Sequence, residues 1–132
     1  MNQAEFNALC VAPNCTLRDA LLRLDTTARG LLMVLSEAGQ LVRTLTDGDL
    51  RRARLSGLDD ATLVRELPAQ PPQVVHEDAA ASAVLELMDR HQIDHIPVLD
   101  AQDRPVDVVF RRELSQRIWL SSPHLGEEET AF

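Results

Sequence analysis

An internal repeat constrains the fold of this chain more than any other feature of its sequence. When the sequence is shifted by 64 residues it aligns with itself without a gap, so that Val11 meets Val75 and Leu50 meets Leu114. Few residues are identical, but the apolar positions agree along the whole alignment. Such self-similarity is typical of chains built from copies of one supersecondary unit. The 132 residues are therefore expected to form one domain from two related halves.

The first repeat has the residue pattern of a β-α-β-β-α unit. Its apolar positions change from helical spacing to the short apolar runs and alternation of strands. We expect an extended segment at Val11-Ala12, a helix over about 16–27, strands over 31–35 and 41–45, and a helix over about 48–56. Asn14 or Thr16 would cap the first helix. The buried face of that helix would carry Leu17, Ala20, Leu21, Leu24 and Ala28.

The second repeat has the same order of elements. An extended segment is expected at Val74-Val75, a helix over about 79–91, strands over 95–99 and 106–110, and a helix over about 111–120. Asp78 would cap the first of these helices, whose buried face would carry Ala81, Val84, Leu85 and Met88. Between the repeats, the prolines of residues 58–72 indicate a helical turn and then a stiff extended segment.

This order of elements predicts an α/β fold with helices packed on small sheets. The chain divides into a first motif over residues 1–57, a linker over 58–72, a second motif over 73–120 and an acidic tail over 121–132. A unit of this size is too small to be stable alone, so the two must pack together. A ligand cleft would fall naturally between them.

Composition excludes several classes of function. The net charge of −8 argues against a nucleic-acid partner, because such proteins need clustered cations to contact phosphates. All thirteen basic residues are arginine, which excludes Schiff-base and P-loop lysine chemistry within the chain. The apolar runs are too short to cross a membrane, and no signal peptide is visible. With Cys10 and Cys15 as reduced thiols, we expect a cytoplasmic protein.

Thr46 and Asp49 are the strongest candidates for binding a ligand. They stand where a strand runs into a helix, a turn that exposes backbone N–H groups and the positive end of the helix to an anion such as phosphate. The Asp49 carboxylate can accept two hydrogen bonds at once, which suits the two hydroxyls of a ribose. On their own, Asp47 and Asp49 could equally serve only to cap the helix.

Two motifs in their repeat context resemble the CBS-domain family. Residues 41–50, Leu-Val-Arg-Thr-Leu-Thr-Asp-Gly-Asp-Leu, resemble its Thr-x-x-Asp signature, and residues 95–100, His-Ile-Pro-Val-Leu-Asp, resemble its proline-containing strand. The resemblance implies a tandem CBS pair in which the Thr-x-x-Asp of one motif faces the proline strand of the other. It also implies that apolar residues and strand backbone hold an adenine ring. The ligand-binding residues would be Thr46, Asp49, Val74, Val75, His95, Ile96 and Pro97.

The equivalent second cleft departs from the family pattern. Phe110 and Glu113 replace the Thr-x-x-Asp pair, and Met33 stands at the proline position. Phe110 has no hydroxyl and would intrude on the phosphate region, so we expect one working site per chain. Arg43 and Asp107 stand where CBS motifs often have glycine, which leaves the strand geometry there open.

Two other patterns are weaker. His91 and His95 have the spacing of paired helical metal ligands, but they span a helix end and a strand start, so we expect no metal site. Residues 118–132 resemble the opening of PLP-dependent nucleotide-sugar aminotransferases, and a disordered acidic tail is an equal alternative. If the resemblance holds, an aminotransferase or nucleotidyltransferase catalytic domain is the expected partner.

The resemblance implies a regulatory module rather than an enzyme. It would have no cofactor of its own and would bind AMP, ADP or ATP to control an attached or partner enzyme of sugar-nucleotide metabolism. Apolar positions on the last helix of each repeat, with Trp119 near the chain's end, predict a homodimer. The alternative is a structural dimerisation module that binds no ligand.

Overall fold

Each repeat forms a three-stranded sheet with helices packed against it. The computed structural model describes residues 1–68 and 70–114. In order, the elements are α1 (Gln3–Ala8), β1 (Cys10–Val11), α2 (Leu17–Thr27), β2 (Leu31–Leu35), β3 (Leu41–Thr46), α3 (Asp47–Leu55), a 3-10 turn (Val64–Glu66), β4 (Val75–His76), α4 (Ala81–His91), β5 (His95–Leu99) and β6 (Pro105–Phe110). Residues 111–114 are helical.

The two sheets are copies of one another in topology and register. Their strand orders are β1-β2-β3 and β4-β5-β6, with the first pair of each parallel and the second antiparallel. Met33 pairs with Thr44 in one sheet, and Pro97 pairs with Val108 in the other. A register shift follows at Val34/Leu35 and again at Val98/Leu99. The predicted tandem α/β repeat is therefore confirmed down to the pairing of individual residues.

The caps of the first and second repeat helices differ. Thr16 caps α2: its hydroxyl accepts from the Asp19 N–H at 3.1 Å, and the Asp19 carboxylate accepts from the Thr16 N–H at 3.2 Å. This capping box decides between the two predicted caps. The prediction that Asp78 caps α4 is wrong. The chain makes a turn first, with the Ala79 N–H bonded to the His76 carbonyl, and α4 starts after Ala80 without a side-chain cap.

Three further features differ from the sequence-based expectations. Ala28 is exposed because α2 ends there in the left-handed conformation, with φ of 53°. Ala81 is exposed because it lies in the first turn of α4 rather than on its buried face. Helix α1 was not predicted, since its Asn2–Glu5 capping box precedes a segment with little apolar periodicity. The predicted helix over 115–120, Trp119 and the acidic tail lie outside the described residues.

Three apolar clusters hold the domain together. One fills the first repeat between α2, α3 and the sheet, and a smaller one fills the second repeat around Met88 and Ile96. The third joins the repeats, because it combines Leu9, Leu31 and Met33 with Val108. Burial of these side chains supplies the main driving force for pairing the repeats. Of the helices described, none is both long and apolar enough to cross a bilayer.

Candidate functional site

A cleft of about 300 Å³ opens between the two repeats. One wall comes from the end of β3 and the start of α3, a second from the linker, and a third from the end of α4 and the first half of β5. The lining residues are Thr44, Thr46, Asp49, Gln70, Pro71, Pro72, Gln73, His91, Ile93, His95 and Pro97. A small-molecule site between two packed units is the arrangement that the repeat order implies.

The structure brings four of the seven predicted ligand-binding residues into this cleft: Thr46, Asp49, His95 and Pro97. Side chains alternate across a strand, so Ile96, between His95 and Pro97, points away and is fully buried in the core of the second repeat.

Val75 packs against that same core, and Val74 is half-buried just before β4. Neither residue lines the cleft. Any contact of Val74, Val75 or Ile96 with a ligand would have to be made by backbone atoms.

Several lining residues were not among the predicted ones. Thr44 lies two residues before Thr46 and shares its face of β3, so strand alternation could have identified it. Residues 70–72 were interpreted only as linker and Gln73 only as the start of the second motif. Their position in the cleft depends on tertiary packing that no local pattern reports. Ile93 and His91 enter through the turn after α4, where Gln92 ends the helix in the left-handed conformation.

Capping the helix does not prevent Thr46 and Asp49 from also contacting a ligand. The Thr46 hydroxyl accepts from the Asp49 N–H at 3.3 Å, and Asp49 Oδ2 accepts from the Thr46 N–H at 3.0 Å and from its hydroxyl at 3.2 Å. This capping box begins α3 and fixes the carboxylate in the cleft wall. Asp49 Oδ1 stays outside the box and, among residues 1–68 and 70–114, accepts from Arg52 alone, at 2.7 Å.

Arg52 is a removable partner of that oxygen. Its side chain is 65% exposed, whereas that of Asp49 is 13% exposed. An exposed ion pair is worth little in stability, because water and salt screen it. A ligand hydroxyl can therefore replace Arg52 at Oδ1 at small cost, and Arg52 can turn toward an anionic group of the same ligand.

His95 contributes a neutral ring to the cleft. Burial lowers the pKa of His95 from its ordinary value of 6.5, because the charged imidazolium loses its hydration there. The His95 backbone and Asp94 oppose this shift only in part. At neutral pH the ring is therefore uncharged, which suits contact with an aromatic base.

Pro97 leaves a backbone acceptor open at the edge of the cleft. In the first repeat, the Met33 N–H donates to the Leu9 carbonyl at 2.7 Å. Pro97 occupies the equivalent position in the second repeat and has no N–H, so the Gln73 carbonyl cannot receive that bond. Accordingly β4 begins at Val75, one residue later than the repeat offset from Cys10 would place it. Gln73 lines the cleft, where its carbonyl can accept from a ligand donor.

The symmetry-related position is filled by apolar side chains where it corresponds to β3, β5 and Gln73, and a cavity of about 360 Å³ remains beside Ala8, Thr27 and Arg29. Six of the eleven lining residues are replaced at the 64-residue offset by large apolar ones: Thr44 by Val108, Thr46 by Phe110, Gln70 by Phe6, Gln73 by Leu9, His95 by Leu31 and Pro97 by Met33. These replacements all belong to the apolar cluster that joins the repeats. Glu113 is bonded to Arg29 at 3.5 Å, and Arg29 lies over the Phe110 ring at 4.9 Å.

Comparison with known proteins identifies the family. The family model of the CBS domain matches residues 4–56 and 64–119. The chain belongs to the CBS-domain family. Its two matched motifs correspond to the two repeats, so it is a CBS pair.

Relatives of this CBS pair are longer proteins. An uncharacterized protein of Helicobacter pylori is 30% identical over 109 residues, covering 82% of this chain and 33% of the relative. The arabinose 5-phosphate isomerase KdsD of Pseudomonas aeruginosa is 34% identical over 104 residues, covering 75% of this chain and 31% of the isomerase. The chain thus spans about a third of the length of the curated relatives it matches.

A solved structure shares the fold of this CBS pair. The crystal structure of CBSX2, a CBS-pair protein from Arabidopsis thaliana, in complex with AMP matches with a TM-score of 0.74 and 21% sequence identity. The match covers 84% of this chain and 87% of the other. At this identity the likeness establishes the arrangement of the two repeats.

Proposed function

We propose that this CBS pair is a regulatory module that binds one adenosine nucleotide per chain, with AMP, ADP and ATP as the candidate ligands. The observation that carries the proposal is the cleft that combines the Thr46–Asp49 turn with the His95–Pro97 strand. The AMP complex of CBSX2, which shares the fold, supports this ligand class.

Each part of the nucleotide has a matching group in the cleft. Asp49 Oδ1 would accept from the ribose hydroxyls once Arg52 moves aside. The adenine ring would lie along His95 and Pro97, with its amino group toward the Gln73 carbonyl. The phosphate would lie at the start of α3, near the Thr46 hydroxyl and the displaced Arg52. The cleft volume is near the lower end of the roughly 300–1,000 Å³ range of small-molecule sites, which favours a monophosphate.

We propose further that the module acts on an attached or partner catalytic domain. The relatives are about three times as long as the matched segment, and one of them is named as a sugar-phosphate isomerase. The resemblance of residues 118–132 to nucleotide-sugar aminotransferases supports an enzyme of sugar-nucleotide metabolism as the partner. Under this proposal the CBS pair has no catalytic activity of its own and works in the cytoplasm.

A structural dimerisation module is the second candidate. Leu55, at the last turn of α3, is 80% exposed, and a leucine so placed favours contact with another copy. Light scattering at tens of micromolar would show a dimer under either proposal, and Leu55→Arg should shift it toward monomer. If the wild type were a monomer, the homodimer expected under both proposals would be contradicted.

Calorimetry separates the two candidates. We expect titration with AMP, ADP, ATP and S-adenosylmethionine to reveal saturable binding near one site per chain for at least one ligand, with GMP as the control. Two equal strong sites would contradict the single cleft. If none of the four ligands bound, the regulatory proposal would be abandoned in favour of the structural module.

A further inference from the structure

Arg43 is a charged residue buried beside the cleft. It lies on β3 directly before Thr44, and it is 7% exposed. Among residues 1–68 and 70–114, no other polar or charged side chain is buried to this extent. Burying a guanidinium is unfavourable unless its donors find acceptors. The acceptors that Arg43 contacts therefore show which parts of the molecule it connects.

Its three contacts join two walls of the cleft. Nη1 donates to the Pro68 carbonyl at 2.8 Å, Nε donates to the Thr44 carbonyl at 3.1 Å, and Nη2 lies 3.9 Å from Asp49 Oδ2. Thr44 and Asp49 belong to the wall formed by β3 and α3. Pro68 lies two residues before the linker wall, residues 70–73. Arg43 thus ties the linker wall to the wall that carries the carboxylate.

The filled counterpart of the cleft lacks this connection. The repeat offset places Asp107 at the position of Arg43, and Asp107 is exposed. Its carboxylate accepts from the neighbouring Val108 N–H at 2.8 Å, and an ionised carboxylate has no hydrogen to donate to a carbonyl. The segment that matches the linker is held there by apolar packing of Phe6 and Leu9. The arginine that connects the two walls is therefore present at the open cleft and absent from its counterpart in the other repeat.

We propose that Arg43 is a positioning residue that sets base selectivity in this cleft by holding the linker wall in place. The inference rests on the proposed nucleotide binding. The Gln73 carbonyl, which Pro97 leaves open, can read the base only if residues 70–73 are fixed relative to β5. Adenine carries an amino group at the ring position where guanine carries a carbonyl, so a fixed acceptor at this point favours adenine and disfavours guanine.

The shape of the arginine side chain matters for this role. A planar guanidinium directs donors at two carbonyls and a carboxylate at once, whereas a lysine ammonium is a compact point charge on a flexible stem. Arg43→Lys would keep the positive charge near Asp49 but could not maintain both carbonyl contacts. Arg43→Met would remove charge and donors while keeping a long apolar side chain.

The test compares base selectivity among matched variants of the whole chain. Calorimetry would measure the dissociation constants of AMP and GMP for the wild type, Arg43→Met, Arg43→Lys and Arg52→Met. We expect Arg43→Met to weaken AMP binding by about tenfold or more and to lower the GMP-to-AMP ratio of dissociation constants by a similar factor. Arg43→Lys should lower the ratio less. Arg52→Met should leave it unchanged, because Arg52 contacts Asp49 but not the linker.

NMR relaxation provides a readout that does not depend on nucleotide. Pro71 and Pro72 have no amide, so the amides of Gln70, Gln73 and Val74 report on the linker wall. We expect their order parameters to be lower in Arg43→Met and Arg43→Lys than in the wild type, with no change in Arg52→Met. If Arg43→Met does not fold, the calorimetry and the NMR measurement are both made on Arg43→Lys.

The outcomes separate this inference from the proposed function. Unchanged order parameters of the linker amides in the Arg43 variants would overturn the inference. So would a lower melting temperature with an unchanged GMP-to-AMP ratio, since Arg43 would then be merely structural. If the wild type bound no adenosine nucleotide, the proposed function would fail, and the base-selective role of Arg43 would fail with it. Lower order parameters of the linker amides in the Arg43 variants would then still establish that Arg43 ties the linker to β3.

Discussion

The carboxylate of Asp49 accepts from the backbone N–H of Thr46 at 3.0 Å, so the residue that completes the capping box of helix α3 also lines the cleft. We therefore expect its removal to affect both stability and, under the proposed function, nucleotide binding. Asp19 makes the same capping box with Thr16 at the start of α2, away from the cleft. A variant of Asp19 can therefore serve as the control for the stability that Asp49 contributes through capping.

We predict that Asp49→Ala weakens adenosine nucleotide binding about tenfold or more, because charge-assisted hydrogen bonds to the ribose are lost. It should also lower the free energy of unfolding by about 0.3–1.5 kcal/mol through the lost capping box. Asp19→Ala should reproduce the capping part of this loss with unchanged affinity, whereas Asp49→Ala also removes the carboxylate beside the buried Arg43 and should lose more stability. Glu113→Ala should change affinity little. Calorimetry and urea unfolding would measure both effects. Equal losses of affinity in Asp49→Ala and Glu113→Ala would refute the assignment of the site.

The sequence predicted the repeat and the order of elements because these follow from local periodicity, and the two motifs predicted four of the eleven residues that line the cleft. The 64-residue offset holds in the observed register, and Thr46, Asp49, His95 and Pro97 lie together as the motif pairing implied. Residues 70–73 could not be placed in this way, because extended proline-rich chain has no periodicity that indicates a buried face. The tie from Arg43 to Pro68 is equally invisible to pattern analysis, since it joins residues 25 apart that no motif connects.

Pro97→Ala should give the Gln73 carbonyl the backbone hydrogen-bond donor that the proline cannot supply. The new N–H could donate to the Gln73 carbonyl, as Met33 donates to Leu9 at 2.7 Å in the first repeat. We predict a slowly exchanging amide at residue 97 and weaker AMP binding, because the base would compete with a backbone hydrogen bond. Exchange measured by NMR and calorimetry would test this, with Pro105→Ala, at the start of β6, as a proline control. Unchanged AMP affinity alongside a protected amide would show that the Gln73 carbonyl does not read the base.

Stability should fall in mildly acidic solution because His95 is buried. Its folded pKa lies below the unfolded value of 6.5, so the unfolded chain binds a proton more readily. The stabilising contribution of neutral His95 is therefore complete above that value and is lost as the pH falls below it toward the folded pKa. Urea midpoints measured at about pH 7.5 and about pH 5.5 should differ more for the wild type than for His95→Gln.

The control for this pH effect is His76, an exposed residue paired with Asp103 at 3.3 Å. His76→Gln should retain the fall in stability that the buried His95 causes. If His95→Gln and the wild type lost the same stability over this interval, the buried imidazole would not be its source.

A substitution at Leu9 tests whether the apolar residues at the counterpart of the cleft serve only to pack the two repeats together or block a second ligand site. It is fully buried in the cluster that joins the two repeats, where it packs with Leu31, Met33 and Val108. Leu9→Ala should lower the free energy of unfolding by about 2–5 kcal/mol, because it removes buried methyl groups and leaves a cavity.

Even with that space opened, the position still lacks the threonine hydroxyl, and Glu113 remains paired with Arg29. We therefore expect the nucleotide stoichiometry of Leu9→Ala to stay at one. Leu22→Ala, on an exposed leucine of α2, should change the unfolding free energy far less. Urea unfolding and calorimetry at a temperature where the variant remains folded would test both expectations. A second nucleotide bound by Leu9→Ala would show that apolar filling alone, and not the loss of Thr-x-x-Asp chemistry, keeps the second position empty of ligand.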